Sequence, residues 1–416
     1  MNCTVSHDLY IHNLNYIRWC ANAFGMDVMA PNFKPNWKTF IAVGIVSIAL
    51  FGQFYSVWYF WNDVVKLMES TALYALILQV GPSPTESEEI ENYLSLMSML
   101  LSPLYFSPQG CTKFYTGLRY YDFFIAMYGR LDRLHQEHRT HPKNNAALLL
   151  LMQRIYLLTR LIGVQYAFSA SVFGLIPPLA YLVKGERMLC VSLVIPFTDP
   201  TILSHYFLNL AWQYYMLMLA IAGFSAAESI ILLFVGSLAG YADILKNEID
   251  ELNTILQDAE RTDDRSMVKK KIHDIACLHQ RILEYENDLE ERYYLNNFVQ
   301  VFSIVLTLGG ALFLCLVTNS ISMYTLAISG VIQLFELCLL GTILSVKNEE
   351  IEATFYNSLW YLMDRSEKST FLILFHRSQH AVEMTVANMG SLNIVLFVTI
   401  LRKIYGFSMM LMNFYE

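Results

Sequence analysis

The chain has 416 residues, of which 55% are hydrophobic and only 15% charged, with a formal net charge of −8. That balance, with its positive mean hydropathy, is too apolar for an ordinary soluble domain. It gives no footing for nucleic acid either: the one basic block, KKK at 269–271, has acidic neighbours and reads as a solvated helix face.

Residues 1–38 form an amino-terminal segment without a spanning run. The first apolar run, starting near residue 39, is too long for a signal-peptide core and has no small-residue cleavage pattern behind it. Runs that reach the ~20 residues of a spanning helix are Thr39–Trp61, Ala147–Val183, Tyr206–Tyr241, Asn297–Val317, Ser322–Val346 and Gly390–Phe414. A weaker one at Asn92–Phe114 is interrupted by Pro103, Pro108 and Gly110, and Leu73–Val80 is too short to cross alone. The expected fold is all-α, a polytopic membrane protein with seven transmembrane helices.

Between the fourth and fifth spans, 241–292 is the one large polar insertion. Leu245, Ile249, Leu252 and Leu256 form one apolar stripe, and Val268, Ile272, Ile275, Ile282 and Leu289 another, at helical spacing. These predict two helices that continue the spans, turning at RTDDRS (261–266). The hairpin is either solvated and packed on itself or an assembly platform. A second polar region, 347–389, precedes the last span, 390–416. All eleven prolines fall at or before Pro200, so the last four spans can be long and straight.

Twenty Lys and Arg lie in segments that share a side with the amino end, against Lys66, Lys184 and Arg187 on the other side. The positive-inside rule then puts the amino end in the cytosol and the carboxyl end outside. Of seven cysteines, Cys190 alone falls in an outer loop, so no disulfide framework is expected. Asn2-Cys-Thr fits the glycosylation pattern but is expected to stay unmodified on a cytosolic end.

No Gly-rich phosphate loop, HExxH, CxxC or GxSxG is present, so neither an enzyme nor a cofactor is expected. His135 and His138 are spaced to share a metal, but nothing completes a site, and a basic loop explains them equally well. Charges within spans are more informative. Arg154 and Arg160 can snorkel; Glu228 and Glu336 lie deeper, where an unpaired carboxylate is costly, and Glu228 is expected to face protein. Only about 18 Å of helix follows Lys403, too little to cross ~30 Å of hydrocarbon, so the last span must include Arg402 and Lys403. They either snorkel to headgroups or border a water-filled vestibule.

FELCLLGTIL (335–344), ATFYNSLWYL (353–362), RSQ (377–379) and SLNIVLF (391–397) follow in order. Together with the reversed topology, this carboxyl region resembles the insect odorant receptor family, with Cys338, Gly341, Tyr356, Trp360, Ser391, Leu392 and Phe397 at the family's spacings. Over the first 300 residues only the layout is similar. The resemblance implies an odorant-gated, non-selective cation channel of four subunits in the plasma membrane of olfactory sensory neurons. It implies a small volatile ligand in the outer half of the bundle, among the second to sixth helices (within 39–240 and 293–346), with contacts between subunits formed by cytosolic parts of the fourth to seventh helices. Candidate ligand residues are Phe168, Phe173, Tyr206, Trp212 and Tyr324. The seventh helix would line the pore, with gate positions at Met410 and Phe414 and the polar Asn413 beside them. The co-receptor of the family carries a larger insertion than 241–292, so the resemblance implies an odorant-tuned subunit that pairs with that co-receptor. A gustatory receptor of the same architecture lacks support from its TYxxxxxQF ending. A receptor coupled to G proteins would need an outside amino end, an outer-loop cysteine bridge and a proline in its last helix.

Overall fold

The computed structural model describes residues 5–30, 33, 37–59, 107–185, 187, 189–190, 195–199, 202–262, 265–318, 321–386 and 390–415. Most of the weaker run at 92–114, and all of 73–80, lie outside these residues. Among the described residues every regular element is helical, apart from one isolated bridge between Thr385 and Ser391. In chain order they are α1 (Ser6–Phe24), α2 (Trp37–Tyr59), α3 (107–119), α4 (Tyr121–Glu137), α5 (Pro142–Lys184), α6 (Leu203–Thr262), α7 (Ser266–Thr318) and α8 (Ile321–Tyr356). A 3-10 turn at Trp360–Leu362, α9 (Arg365–Ser378) and α10 (Ile394–Tyr415) complete the chain.

Helices α5, α6, α7 and α8 are each long and apolar enough to cross a membrane. Helix α6 has 60 residues, about 90 Å at 1.5 Å per residue, against ~30 Å of hydrocarbon. Its far end must therefore find protein or water, and α7 returns alongside it. All nine residues of the two apolar stripes in 241–292 are buried. Lys271 closes the hairpin across its two arms, donating to Glu248 at 2.6 Å and Glu251 at 2.5 Å. The hairpin also carries the next segments: Arg265 donates to the Leu362 carbonyl at 3.1 Å, and Asn253 accepts the Leu359 N–H at 2.8 Å. At the other end of the bundle, the connection after α5 is fixed to α6, where Asn209 accepts from Ile195 N–H and Gln213 from Cys190 N–H.

Two segments without a spanning run, 1–38 and the stretch before Pro142, contain helices. In α1, Leu9, Tyr10, Leu14, Ile17 and Ala21 recur at three- and four-residue spacing and are buried, with the helix packed on α4, α5 and α6. In α4, Phe124, Met127, Leu131 and Leu134 make the same pattern. Both stripes are short and separated by charges, so neither resembles a span; they cover one end of the bundle.

The last helix is placed by the motif at 391–397. Gly341 on α8 lies so close to the chain after α9 that a Cβ there would stand 2.1 Å from the Leu392 carbonyl oxygen. Thr342 accepts the Ile394 N–H at 3.0 Å, satisfying a donor that the first turn of α10 leaves open. Asn393 accepts the Leu396 N–H at 2.8 Å, an N-cap that the sequence reading did not single out. Phe397 then meets Phe335 edge-on at 5.6 Å. Gly341→Ala is expected to destabilise the folded protein by about 3 kcal/mol through overpacking against backbone, and Asn393→Ala by about 1 kcal/mol. Thermal unfolding of the purified chain in lipid nanodiscs checks this order; an unchanged midpoint for Gly341→Ala would contradict it.

Candidate functional site

Within the bundle, the Lys113 ammonium on α3 pairs with Glu228 Oε1 on α6, with side chains only 12% and 8% exposed. A charge at this depth is costly alone, so each stabilises the other. Gln300 on α7 donates to the same Glu228 oxygen at 3.0 Å. The ammonium also lies 5.3 Å from the centroid of Phe224, a cation–π contact. Phe224 stacks on Tyr166 of α5 at 5.8 Å, and the Tyr166 hydroxyl accepts from Gln333 of α8 at 2.6 Å. One connected group thus ties α3, α5, α6, α7 and α8 together. Glu228 faces protein, as its depth required. Lys113 escaped the sequence reading because it sits at the end of the weakest apolar run; its opposite charge was the available signal.

Beside this group, α1, α3, α6 and α7 line a partly open cavity of about 100 Å³. None of Phe168, Phe173, Tyr206, Trp212 and Tyr324 lines it. Phe173 and Tyr206 are buried where α5 packs on α6, and Tyr206 stacks on Tyr181 at 6.1 Å. Trp212 lies 6.1 Å from Tyr215 on the same end of α6. Those three share the end of the bundle that carries the 185–202 connection. Phe168 instead projects outward from α5, 66% exposed. Tyr324 is 43% exposed at the start of α8, and its hydroxyl donates to the Cys315 carbonyl at 3.2 Å.

Helix α10 buries one narrow face against α7 and α8. Ile404 and Ser408 lie on it, and the Ser408 hydroxyl donates to the Gly309 carbonyl. Arg402, Lys403, Phe407, Met410 and Asn413 are exposed on the rest of the helix. At 100° per residue, Lys403, Phe407 and Met410 share one outward stripe. The backbone of Phe414 continues the helix, while its side chain is outside the described set. His135, one of the two spaced histidines, is committed to packing. It stacks on Tyr10 at 4.7 Å, its Nδ1 lies 3.3 Å from the Ser6 hydroxyl, and burial pushes its pKa down to about 3.

A family model described as 7tm Odorant receptor matches residues 94–405. The chain belongs to the insect odorant receptor family. Relatives of this odorant receptor include Putative odorant receptor 83c of Drosophila melanogaster, 24% identical over 291 residues, which cover 66% of this chain and 70% of that one. Odorant receptor 85a of the same species is 27% identical over 216 residues, covering 49% and 50% of the two chains. Among solved structures, olfactory receptor OR5 from Machilis hrabei in complex with eugenol superposes with a TM-score of 0.71 at 14% identity, over 97% of this chain and 99% of that one. The same receptor without eugenol in its description gives 0.70. These superpositions establish a shared fold. With its spanning-length helices, the odorant receptor is a multi-pass membrane protein. The matched region holds Lys113, Glu228 and Gly341; α1, Met410 and Asn413 lie outside it.

Removing one member of the buried pair, as in Lys113→Met or Glu228→Leu, is expected to destabilise this odorant receptor by about 3–5 kcal/mol, because the other charge stays buried alone. The double substitution should recover most of the loss. Thermal unfolding of the four proteins in nanodiscs measures the cycle; single variants as stable as the parent would contradict the pairing.

Proposed function

We propose that this odorant receptor is the odorant-tuned subunit of a ligand-gated, non-selective cation channel, assembled with the co-receptor of the family in the plasma membrane of olfactory sensory neurons. The observation that carries the proposal, beyond family membership, is the outward face of α10. A final helix that leaves Arg402, Lys403, Phe407 and Met410 exposed has a surface for a water-filled path as well as for neighbours. In this reading seven spans follow from the apolar runs, and a cytosolic amino end from the distribution of Lys and Arg. On that orientation the hairpin lies in the cytosol and the 185–202 connection outside.

The odorant pocket in this proposal lies at the outer end of α5 and α6. Phe173, Tyr206 and Trp212 supply apolar surface, and the connection held by Asn209 and Gln213 covers it. Phe168 and Tyr324 stand further out and would act on its edge. A structural neighbour described with eugenol supports a small, largely apolar ligand for this fold. Burying about 250 Å² of such a ligand yields roughly 6 kcal/mol before ordering costs, consistent with micromolar or weaker affinity.

Gating in this proposal uses Met410 and Phe414, four residues apart on one face of α10, as an apolar constriction that closes by dewetting. Met and Phe are bulky for a ring of four identical subunits, which supports pairing with the co-receptor. Expression alone should then give little odorant-gated current, and co-expression should restore it. In the co-expressed channel, Met410→Ser should raise resting current, while Phe173→Ala should shift half-activation by about 5- to 100-fold in odorant concentration. Recordings with a panel of volatile compounds test both. Full currents without the co-receptor, or Met410→Ser with unchanged resting current and permeation, would contradict the proposal.

A further inference from the structure

The cavity between α1, α3, α6 and α7 is apart from the outer aromatic layer and has its own chemistry. Its walls are largely apolar, with Phe24, Phe114 and Phe224 among them. Gly223 lets the Phe24 ring lie on the α6 backbone, where a Cβ would stand 2.9 Å from the ring. The amino-terminal helix thereby covers one side of a space that the bundle alone would leave more open. On the wall formed by α7, Asn297 is 1% exposed, and neither its amide oxygen nor its amide nitrogen has a protein partner. The neighbouring Asn296 donates to Thr116 at 3.1 Å but leaves its own Oδ1 unpartnered. Buried amides without partners are rare, because each costs the desolvation of a polar group.

We infer that this cavity is a second small-molecule site, for a neutral, hydroxyl-bearing apolar molecule about the size of phenol. Neutrality follows from Lys113 and Glu228 on the wall, which already balance one another, so an ionised ligand would bury an uncompensated charge. A hydroxyl follows from Asn297, whose amide offers both a donor and an acceptor, as a hydroxyl does. The size follows from the volume. An engineered cavity of about 150 Å³ takes benzene, so the 100 Å³ here admits a single ring only as the flexible Met26 side chain on its wall changes rotamer. An occupant would bridge α1 to α7 and so bias how the amino-terminal helix packs. None of this requires the channel reading.

Binding of 4-fluorophenol and of fluorobenzene to the full-length chain in lipid nanodiscs, followed by fluorine NMR against empty nanodiscs, tests the inference without recording current. Saturable binding of 4-fluorophenol is expected. Ala227→Phe, which fills the cavity, should weaken both probes at least tenfold, and Ala220→Leu is the second filler if the first does not fold. Asn297→Leu should weaken 4-fluorophenol about three- to tenfold and fluorobenzene less than twofold. In a Phe173→Ala background, which removes surface from the proposed outer pocket, the Ala227→Phe and Asn297→Leu effects should persist. Absence of saturable binding to the folded parent would mean the space holds water only and would overturn the inference. So would equal binding by a folded filler variant, or loss of those two effects in the Phe173→Ala background.

Discussion

A backbone carbonyl packed where a side chain would otherwise stand governs the last helix. The Leu392 oxygen occupies the space beside Gly341, so α8 and the start of α10 approach at backbone distance. The contacts that follow are only possible at that distance. Thr342 reaches the Ile394 N–H while donating its own hydroxyl to the Cys338 carbonyl at 2.8 Å. On the other side, Leu392 N–H donates to Met384 at 2.8 Å, and Glu290 of α7 accepts from Thr385 N–H. Since α10 buries one narrow face, its rotation is set at this end and again at Ser408 against Gly309. The direction in which Lys403, Phe407 and Met410 project is inherited from those few contacts.

Electrostatic strength is distributed unevenly through the molecule. The Lys113–Glu228 pair sits among apolar side chains, where a charge interaction is screened little and a broken partner is expensive. The Arg130–Asp288 pair beside the hairpin, at 2.7 Å, has both side chains more than a third exposed and contributes far less. The bundle is thus cross-linked at its centre by a few costly polar groups, and the 241–292 hairpin by apolar stripes with charges around them.

The long helices were legible because their signal is redundant. Twenty or more apolar residues read as a span, and the stripes at Leu245–Leu256 and Val268–Leu289 repeat the helical period over several turns. The SLN motif was visible as a resemblance, but its physics was not: nothing in sequence says that Leu392 sits over Gly341 or that Asn393 caps α10. Helix α1 was missed because its stripe of Leu9, Tyr10, Leu14 and Ile17 is too short and too polar for a span, though its period was there to read. The partner of Glu228 was missed because pairing joins residues 115 apart, and spacing carries no information at that range. Aromatics were the least legible of all. Phe168 and Phe173 share a helix and a candidate ligand role, yet one faces outward and the other inward.

The most direct measurement of whether α10 borders the ion path is thiol accessibility at Lys403. In the co-expressed channel, Lys403→Cys is exposed to a water-soluble, charged thiol reagent with and without odorant, and the rate of current change is recorded. Modification that is faster in the presence of odorant and alters current is the expected result, since Lys403 lies on the same outward stripe as Met410. A cysteine at that position that stays unreactive while the channel is open, or reacts without any change in current, would contradict a pore lined by this helix.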